Sequence, residues 1–370
     1  MAYITSIGTS NPGSGIPQTK IADFMSKGLD LSESQSDELK VLYRATGIKN
    51  RYSVIADYGL NGQPYTFYPK TTGLEPFPTI GVRMEQFKTF ALELSLEAIH
   101  ECLKGSPATE VTHLITVSCT GMYAPGLDID LVEKLGLNSS VERTAINFMG
   151  CYAAFNALKI AQKIAAQDSQ AMILIVCVEL CSLHFQKDTS GETLLANSLF
   201  SDGAAAITVQ STPSKGFNLR LEKFFCDLEP FAKDEMTWDI GDFGFEMRLS
   251  HKVPDVIAGS IGKLTHNLLK ELAITTQEID FFAIHPGGKR ILEVIEEQLK
   301  IPREKNQFAY NILREFGNMS SPTILFVLKS IIASLNTEDS EKTILSFAFG
   351  PGLTMESMLL RVHYSDSATN

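Results

Sequence analysis

The stretch NFMGCYAAFNALKIAQ (147–162) sets Cys151 where an apolar run meets a helical pattern. A helix N-terminus carries partial positive charge and unpaired N–H groups, which stabilise a thiolate and lower a thiol pKa. Gly150 permits an unusual backbone angle at that turn. The same residues also suit a small core cysteine beside a tight turn. His285 ends the apolar run IDFFAIH and precedes PGGKR. A histidine at the C-terminal end of a strand faces the crevice where α/β proteins bind ligands. The alternative is a satisfied histidine at a sheet edge. Asn318 lies in REFGNMSSPTILFVL, where Ser320 or Ser321 can cap the next helix and Pro322 suits its first turn. A turn asparagine after glycine is equally ordinary. Together, a thiolate can attack an acyl group, and an imidazole N–H with a side-chain amide can hold an oxyanion.

Other features could support or surround such a site. FAFGPGLTMESML (347–359) reads as a strand, a Gly-Pro-Gly turn and a second strand. SDGAAAITV (201–209) is a strand entry that permits close packing. Neither is a phosphate loop, since no GxxxxGK[ST] and no GxGxxG after a strand occurs. Lys40, Arg44, Lys49 and Arg51 form a basic cluster in an otherwise acidic chain. They read either as a solvated helix end or as a seat for an anionic, nucleotide-phosphate-bearing substrate. Six cysteines are widely spread, with no CxxC pair and no zinc-ligand spacing, so no metal is expected. Cys102, Cys177 and Cys181 lie in apolar or amphipathic runs and read as buried thiols. His100 and His266 fall on helical patterns, His251 in a charged segment and His363 near the C-terminus.

These residues need elements to position them. HLITVSC (113–119), MILIVCVEL (172–180), AAAITVQ (204–210), IDFFAIH (279–285) and TILSFAFG (343–350) read as strands. Residues 84–105, 153–167, 289–300 and 324–335 carry apolar residues at helical spacing. The alternation indicates layered α/β architecture. STPSKG (211–216) is the best internal boundary, dividing 1–212 from 213–370, although no clear sequence repeat links the two sides. Residues 53–78 read as an exposed loop or arm, and the tail HYSDSATN as frayed. The chain has 370 residues, 20% of them charged, and a net charge of −11. That charge argues against general nucleic-acid binding. The N-terminus lacks a signal-peptide pattern and no apolar run reaches membrane-spanning length. The expectation is a reduced, soluble, cytoplasmic protein.

The motifs MGCYAAFNALKIA, LFSDGAAA, IHPGGKRILE, GNMSSPTILFVL and FGPGLTMESML occur in the order and spacing of the type III polyketide synthases, the chalcone/stilbene synthase family. The opening YITSIGTSNPGSGIPQ is similar too, so the resemblance covers nearly the whole chain, in a bacterial-like form. The resemblance implies a thiolase-like fold with two similar halves in α-β-α-β-α layers, assembled as a homodimer. It implies that Cys151 carries the acyl chain and that His285 and Asn318 complete a triad. Phe200 matches the gatekeeper phenylalanine, while Met247 stands where a second phenylalanine is usual. Cys119, His184 and Trp238 replace smaller or hydroxylated cavity residues of the plant enzymes, and Ser320 matches a cavity serine. Ala124 stands where the plant enzymes place a methionine that crosses the dimer.

The implied reaction loads an acyl-CoA on Cys151 and extends it by decarboxylative condensation with malonyl-CoA, followed by cyclisation. His285 as imidazolium would stabilise the thiolate. His285 and Asn318 would then hold the enolate left by loss of CO₂. Phe200 would supply an apolar wall favouring loss of the carboxylate. Arg44, Lys49 and Arg51 would seat the CoA phosphates. No cofactor is required, because the CoA thioesters are substrates. A single-condensation ketoacyl synthase III-like enzyme shares the triad. A papain-like cysteine hydrolase shares the Cys, His, Asn order but not the local context of its cysteine.

Overall fold

A computed structural model describes residues 1–59 and 65–366 of the chain. Among the described residues, nine strands form one mixed sheet. Its N-terminal part runs outward from Tyr3–Ser10 through Asp202–Gln210, Ile173–Leu180 and His113–Ser118 to Glu142–Asn147. Its C-terminal part runs the other way, from Gly216–Leu228 through Thr354–Ser365 and Thr343–Gly350 to Phe281–Ile284. In each part the first two neighbour pairs are antiparallel and the third is parallel. Over four strands the two parts are therefore topological copies, the N-terminal part adding Glu142–Asn147 at its edge, although their sequences show no repeat. They meet through two residue pairs, Tyr3 with Arg220 and Ile4 with Leu219.

The core lies in three sheets of side chains. Helices Ala153–Gln167 and Thr323–Ile332 pack in the middle, against Ile173 and Ile175 of one part and Ile344 and Met358 of the other. Helix Ile80–Leu103 covers the outer face of the N-terminal part, burying Phe87, Leu94 and Ile99. Helices Val253–Lys270 and Lys289–Leu299 cover the outer face of the C-terminal part. The order is α-β-α-β-α. Ile173–Leu180 is buried along its whole length, which is why it reads as a continuous apolar run rather than an alternating one.

The expected strands and helices are present, with ends shifted by a few residues. IDFFAIH supplies a strand only over Phe281–Ile284, and the helix expected from 84 begins at Ile80. The expectation for 53–78 needs correction. Of its described part, Ile55, Tyr58, Tyr68, Leu74 and Phe77 are buried. Tyr68 stacks on Phe77, and Phe77 meets Phe185 edge-on. Arg83, itself buried, lies over the Phe77 ring and donates to Pro78 O at 2.9 Å. The aromatic side chains that made the segment look like an arm bury their rings instead. Residues 60–64 of that segment, and 367–370 of the tail, lie outside the described residues. No helix among the described residues is long and apolar enough to cross a membrane.

Candidate active site

Cys151 sits in the turn Gly150–Tyr152, which runs straight into helix Ala153–Gln167. No side chain caps that helix, so its free N–H groups lie at the cysteine end. Gly150 is required: its φ is +75°, and a Cβ there would stand 2.5 Å from Pro351 Cδ. The Gly-Pro-Gly turn therefore packs directly against the cysteine turn. His285 follows strand Phe281–Ile284 and donates its backbone N–H to Phe347 O at 2.8 Å. Asn318 is pinned to the segment around Phe200 by backbone bonds: its N–H donates to Leu199 O at 3.0 Å, and Ser201 N–H donates to its O at 2.9 Å.

The three side chains line one cavity of about 600 Å³, with Phe200, Trp238 and Met247 on its walls. Asn318 Oδ1 accepts from Ser320 N–H at 2.8 Å, which turns the NH₂ group away toward Gly287 O, at 3.3 Å, and the Cys151 thiol. The amide thus faces the cavity as a donor. His285 is 1% exposed, and neither ring nitrogen has a hydrogen-bond partner in the protein. Burial pushes its imidazole down to about 3. Burial likewise pushes the Cys151 thiol up to about 12, against the pull of its Ser320 and Asn318 hydrogen bonds. The imidazolium expected from the sequence is therefore not what this buried position favours. A charged ring here needs the thiolate itself as counter-ion, formed by moving the thiol proton across.

The remaining expected site residues divide. Phe200, Met247 and Trp238 stand between this cavity and a second one of about 570 Å³. Trp238 Nε1 donates to Cys119 O at 2.5 Å, which fixes the indole across the gap. His184 lines only the second cavity, and both ring nitrogens are engaged: Nδ1 accepts from Phe245 N–H at 2.9 Å and Nε2 lies 2.6 Å from Thr120 O. It stacks on Phe245 at 4.3 Å, and burial pushes its imidazole down to about 3. His184 is a neutral strut rather than a free substrate contact. Cys119 lines the catalytic cavity, as does Ser320. Neither Ser320 nor Ser321 caps the next helix, as the sequence suggested. Ser320 Oγ lies 3.5 Å from Cys119 Sγ, and Ser321 Oγ donates to Glu179 at 2.7 Å.

The basic cluster is split, and the expectation for Arg51 is wrong. Arg51 is 5% exposed and donates to Gln18 Oε1, Asn197 O and Phe200 O at 2.7–2.8 Å. It holds the backbone of Asn197 and Phe200 and cannot reach a surface phosphate. Arg44 and Lys49 are exposed, and Lys40 pairs with Asp23 at 3.2 Å. Arg44 belongs to helix Glu33–Ala45, whose Leu42 and Ala45 line a surface groove with Lys289, Arg290 and His251 opposite. Leu249, Gly287 and Ile291 line both this groove and the catalytic cavity, so the groove leads inward. Arg51→Ala strips donors from two part-buried carbonyls and a buried amide. It is expected to lower unfolding free energy by about 2–5 kcal/mol, whereas Arg44→Ala leaves it within about 0.5 kcal/mol; urea titration distinguishes them.

Sequence reasoning missed Glu179, Cys181, Lys289 and Arg290. Glu179 is the sole charge in the apolar run MILIVCVEL, and a fully buried carboxylate requires a purpose. Cys181 was expected to be buried and is, but it also lines both cavities. The two cations follow His285 directly in PGGKR and were read only as a turn.

A cysteine at a helix start, a buried unpartnered histidine and an oriented amide in one cavity define an acyl-transfer enzyme of the thiolase-like type. Residues 1–213 match the family described as chalcone and stilbene synthases, N-terminal domain, and residues 224–363 match its C-terminal domain. The chain belongs to the chalcone/stilbene synthase family, the type III polyketide synthases. It is 29% identical over 371 residues to the Mycobacterium tuberculosis "Alpha-pyrone synthesis polyketide synthase-like Pks18", covering 98% of this chain and 91% of that protein. It is 30% identical to the Dictyostelium discoideum "Probable polyketide synthase 1", where the match covers 97% of this chain but 11% of that longer protein. The crystal structure of PKS-I from the brown alga Ectocarpus siliculosus is similar at a TM-score of 0.89 and 31% identity, covering 97% of this chain and 98% of that one.

Proposed function

We propose that this polyketide synthase loads an acyl-CoA starter on Cys151 and extends it with malonyl-CoA. The observation that carries the reading is the pair of groups lining one cavity with the thiol: the unpartnered, neutral His285 ring, and the Asn318 amide, whose oxygen is already occupied and whose NH₂ has only a long bond to Gly287 O, at 3.3 Å. The Cys151 proton passes to His285 as the thiolate attacks the starter thioester, and CoA leaves with a proton. With the acyl group in place, His285 is again neutral. Malonyl-CoA then loses CO₂, and negative charge grows on its thioester oxygen. The His285 N–H and the Asn318 N–H hold that charge in a site where water is largely excluded. The carbanion attacks the acyl-Cys151 carbonyl, releasing the thiolate, and the lengthened chain can return to it. Phe200 contributes an apolar wall, which disfavours the substrate carboxylate.

The groove bearing Lys289 and Arg290 is the seat we assign to the CoA phosphates, with Arg44 on the opposite rim and Lys49 beyond it. Lys289→Glu/Arg290→Glu is expected to raise KM for every CoA thioester alike, with little change in kcat. Added salt should weaken wild-type binding in the same way. Equal KM values for the double variant and wild type would remove the groove from the account.

A homodimer is part of the same reading. Its support is the edge strand Glu142–Asn147, whose side chains are mostly exposed and whose outer backbone is open to pairing. A cytoplasmic location fits enzymes that draw on acyl-CoA pools and is kept on that ground. The experiment that tests the function is product mass analysis with malonyl-CoA and an acyl-CoA panel. Products extended by two or more acetate units support iterative synthesis. A single extension favours the ketoacyl synthase III-like alternative, and no extension rejects both.

A further inference from the structure

The mechanism above leaves the second cavity, of about 570 Å³, without a task. It meets the catalytic cavity along Cys181, Phe200, Trp238 and Met247, which line both. Ile21, Met25 and Phe185 give it an apolar wall, and Arg51 lines it too. Arg51 is 5% exposed. Its Nε donates to Gln18 Oε1 and its Nη1 to Asn197 O and Phe200 O, all neutral oxygens. Its Nη2 has no partner. The side chain is not free to seek one, because its stem packs on Gly317, where a Cβ would stand 2.9 Å from Arg51 Cγ. Asp202 acts on the guanidinium only through space, since its oxygens accept from Val54 N–H, Ser182 N–H and Ser182 Oγ–H. The Tyr43 ring centre lies 5.5 Å from Arg51 Cζ, and the Tyr43 hydroxyl donates to Asn197 O. Ser53 and Ser182 also line the cavity, but their hydroxyls are engaged with each other and with Asp202. Arg83 has a free Nη2 as well, yet it lines neither cavity and lies over the Phe77 ring at 4.7 Å. A buried cation is ordinarily paired, and desolvation pulls the Arg51 guanidinium below its usual range.

We propose that the second cavity takes the far end of the starter, and that Arg51 Nη2 selects a starter ending in a carboxylate. The preferred starters are then ω-carboxyacyl-CoA thioesters, the half-thioesters of dicarboxylic acids. The proposal rests on the reading of Cys151 as the acyl carrier. A chain held on Cys151 that passes Phe200, Trp238 and Met247 puts its end beside Arg51. A carboxylate there accepts from Nη2 and supplies the anion that the buried guanidinium lacks. A methyl end leaves the cation unpaired. The two carboxylates of the reaction thus meet opposite surroundings. That of the malonyl extender faces the apolar Phe200 wall and is lost, whereas that of the starter lies a chain length away, against a cation.

The test runs matched starter series on the whole enzyme, with malonyl-CoA as extender. The starters are succinyl-, glutaryl-, adipoyl- and suberoyl-CoA, their ω-methyl esters, and the plain acyl-CoA of each length. Extended product gives kcat/KM, and intact mass gives the acyl group on Cys151. At the length that spans both cavities, the carboxylate is expected to exceed its methyl ester by about tenfold or more, the scale of a hydrogen bond to a charged group. Arg51→Gln should erase that ratio and still extend the plain series, which shows that the variant folds. Ala196→Phe fills the second cavity at a residue that does not bond Arg51. It should lose the carboxylate starter of that length and keep butanoyl-CoA. A methyl ester used as well as its carboxylate at every length overturns the proposal. An unchanged ratio in Arg51→Gln overturns it too, as does a carboxylate preference untouched by Ala196→Phe. Should Arg51→Gln not fold, the wild-type ratio and its loss in Ala196→Phe decide. No acyl group on Cys151 from any thioester overturns the Cys151 reading beneath it, a separate and recognisable failure.

Discussion

His285→Ala and Asn318→Ala are each expected to lose most malonyl-CoA decarboxylation, by about 10²–10³-fold, or about 2.7–4 kcal/mol of transition-state stabilisation. Each removes one of two donors aimed at the growing enolate. The loss should appear mainly in kcat, because the ground-state thioester oxygen carries little charge. Asn318→Asp should be as damaging as alanine, since it exchanges the donor for an acceptor in a cavity where Oδ1 is already committed to Ser320 N–H. A pH consequence follows from the depressed imidazole. In Cys151→Ala no thiolate can stabilise a charged ring, and burial holds His285 at about 3. A histidine with a lowered pKa is neutral above that value, so decarboxylation by this variant should be flat between about pH 5 and pH 8. A rise through pH 6.5 would show that the ring titrates at its ordinary value and is not desolvated.

Trp238→Gly should change what the enzyme makes. The indole stands between cavities of about 600 and 570 Å³, held by its bond to Cys119 O and edge-on to Phe245 at 5.8 Å. Removing it opens one space into the other. Longer starters or additional extensions are the expected result across an acyl-CoA panel, with malonyl-CoA decarboxylation retained. Stability should fall by about 2 kcal/mol, less than for a full core truncation, because the ring is partly exposed. An unchanged product profile would mean that the chain never reaches this wall. The family resemblance set Trp238 in the cavity. Its half-buried position with a tied N–H favours the wall.

What was legible in the sequence follows from where signals are local. The Cys151 turn, the His285 strand end and the Asn318 loop each carry glycine and an adjoining periodic run, and the last two a proline as well, so each could be placed on its element. The repeat of strand order between the two parts was not legible, because it lives in pairing across hundreds of residues while the side chains differ. Arg51 misled because charge alone says surface; only the fold brings three oxygen acceptors around its guanidinium. Ser320 and Ser321 looked like helix caps because their position is right for caps, yet tertiary contacts with Cys119 and Glu179 take both hydroxyls. Residues 53–78 looked polar and open, but their tyrosines and phenylalanines pack edge-on and stacked around one another. Aromatic packing of that kind has no sequence period to announce it.

The division of labour between Cys151 and the donor pair is the centre of this account. Cys151→Ala with carboxyl-labelled malonyl-CoA and an acyl-CoA starter tests it in one vessel, by measuring released CO₂ beside chain-extended product. Measurable CO₂ release and no extended product are expected, since the proposed oxyanion donors remain while the acyl carrier is gone. Extended product from Cys151→Ala would contradict it and would leave the cysteine in MGCYAAF as core filling.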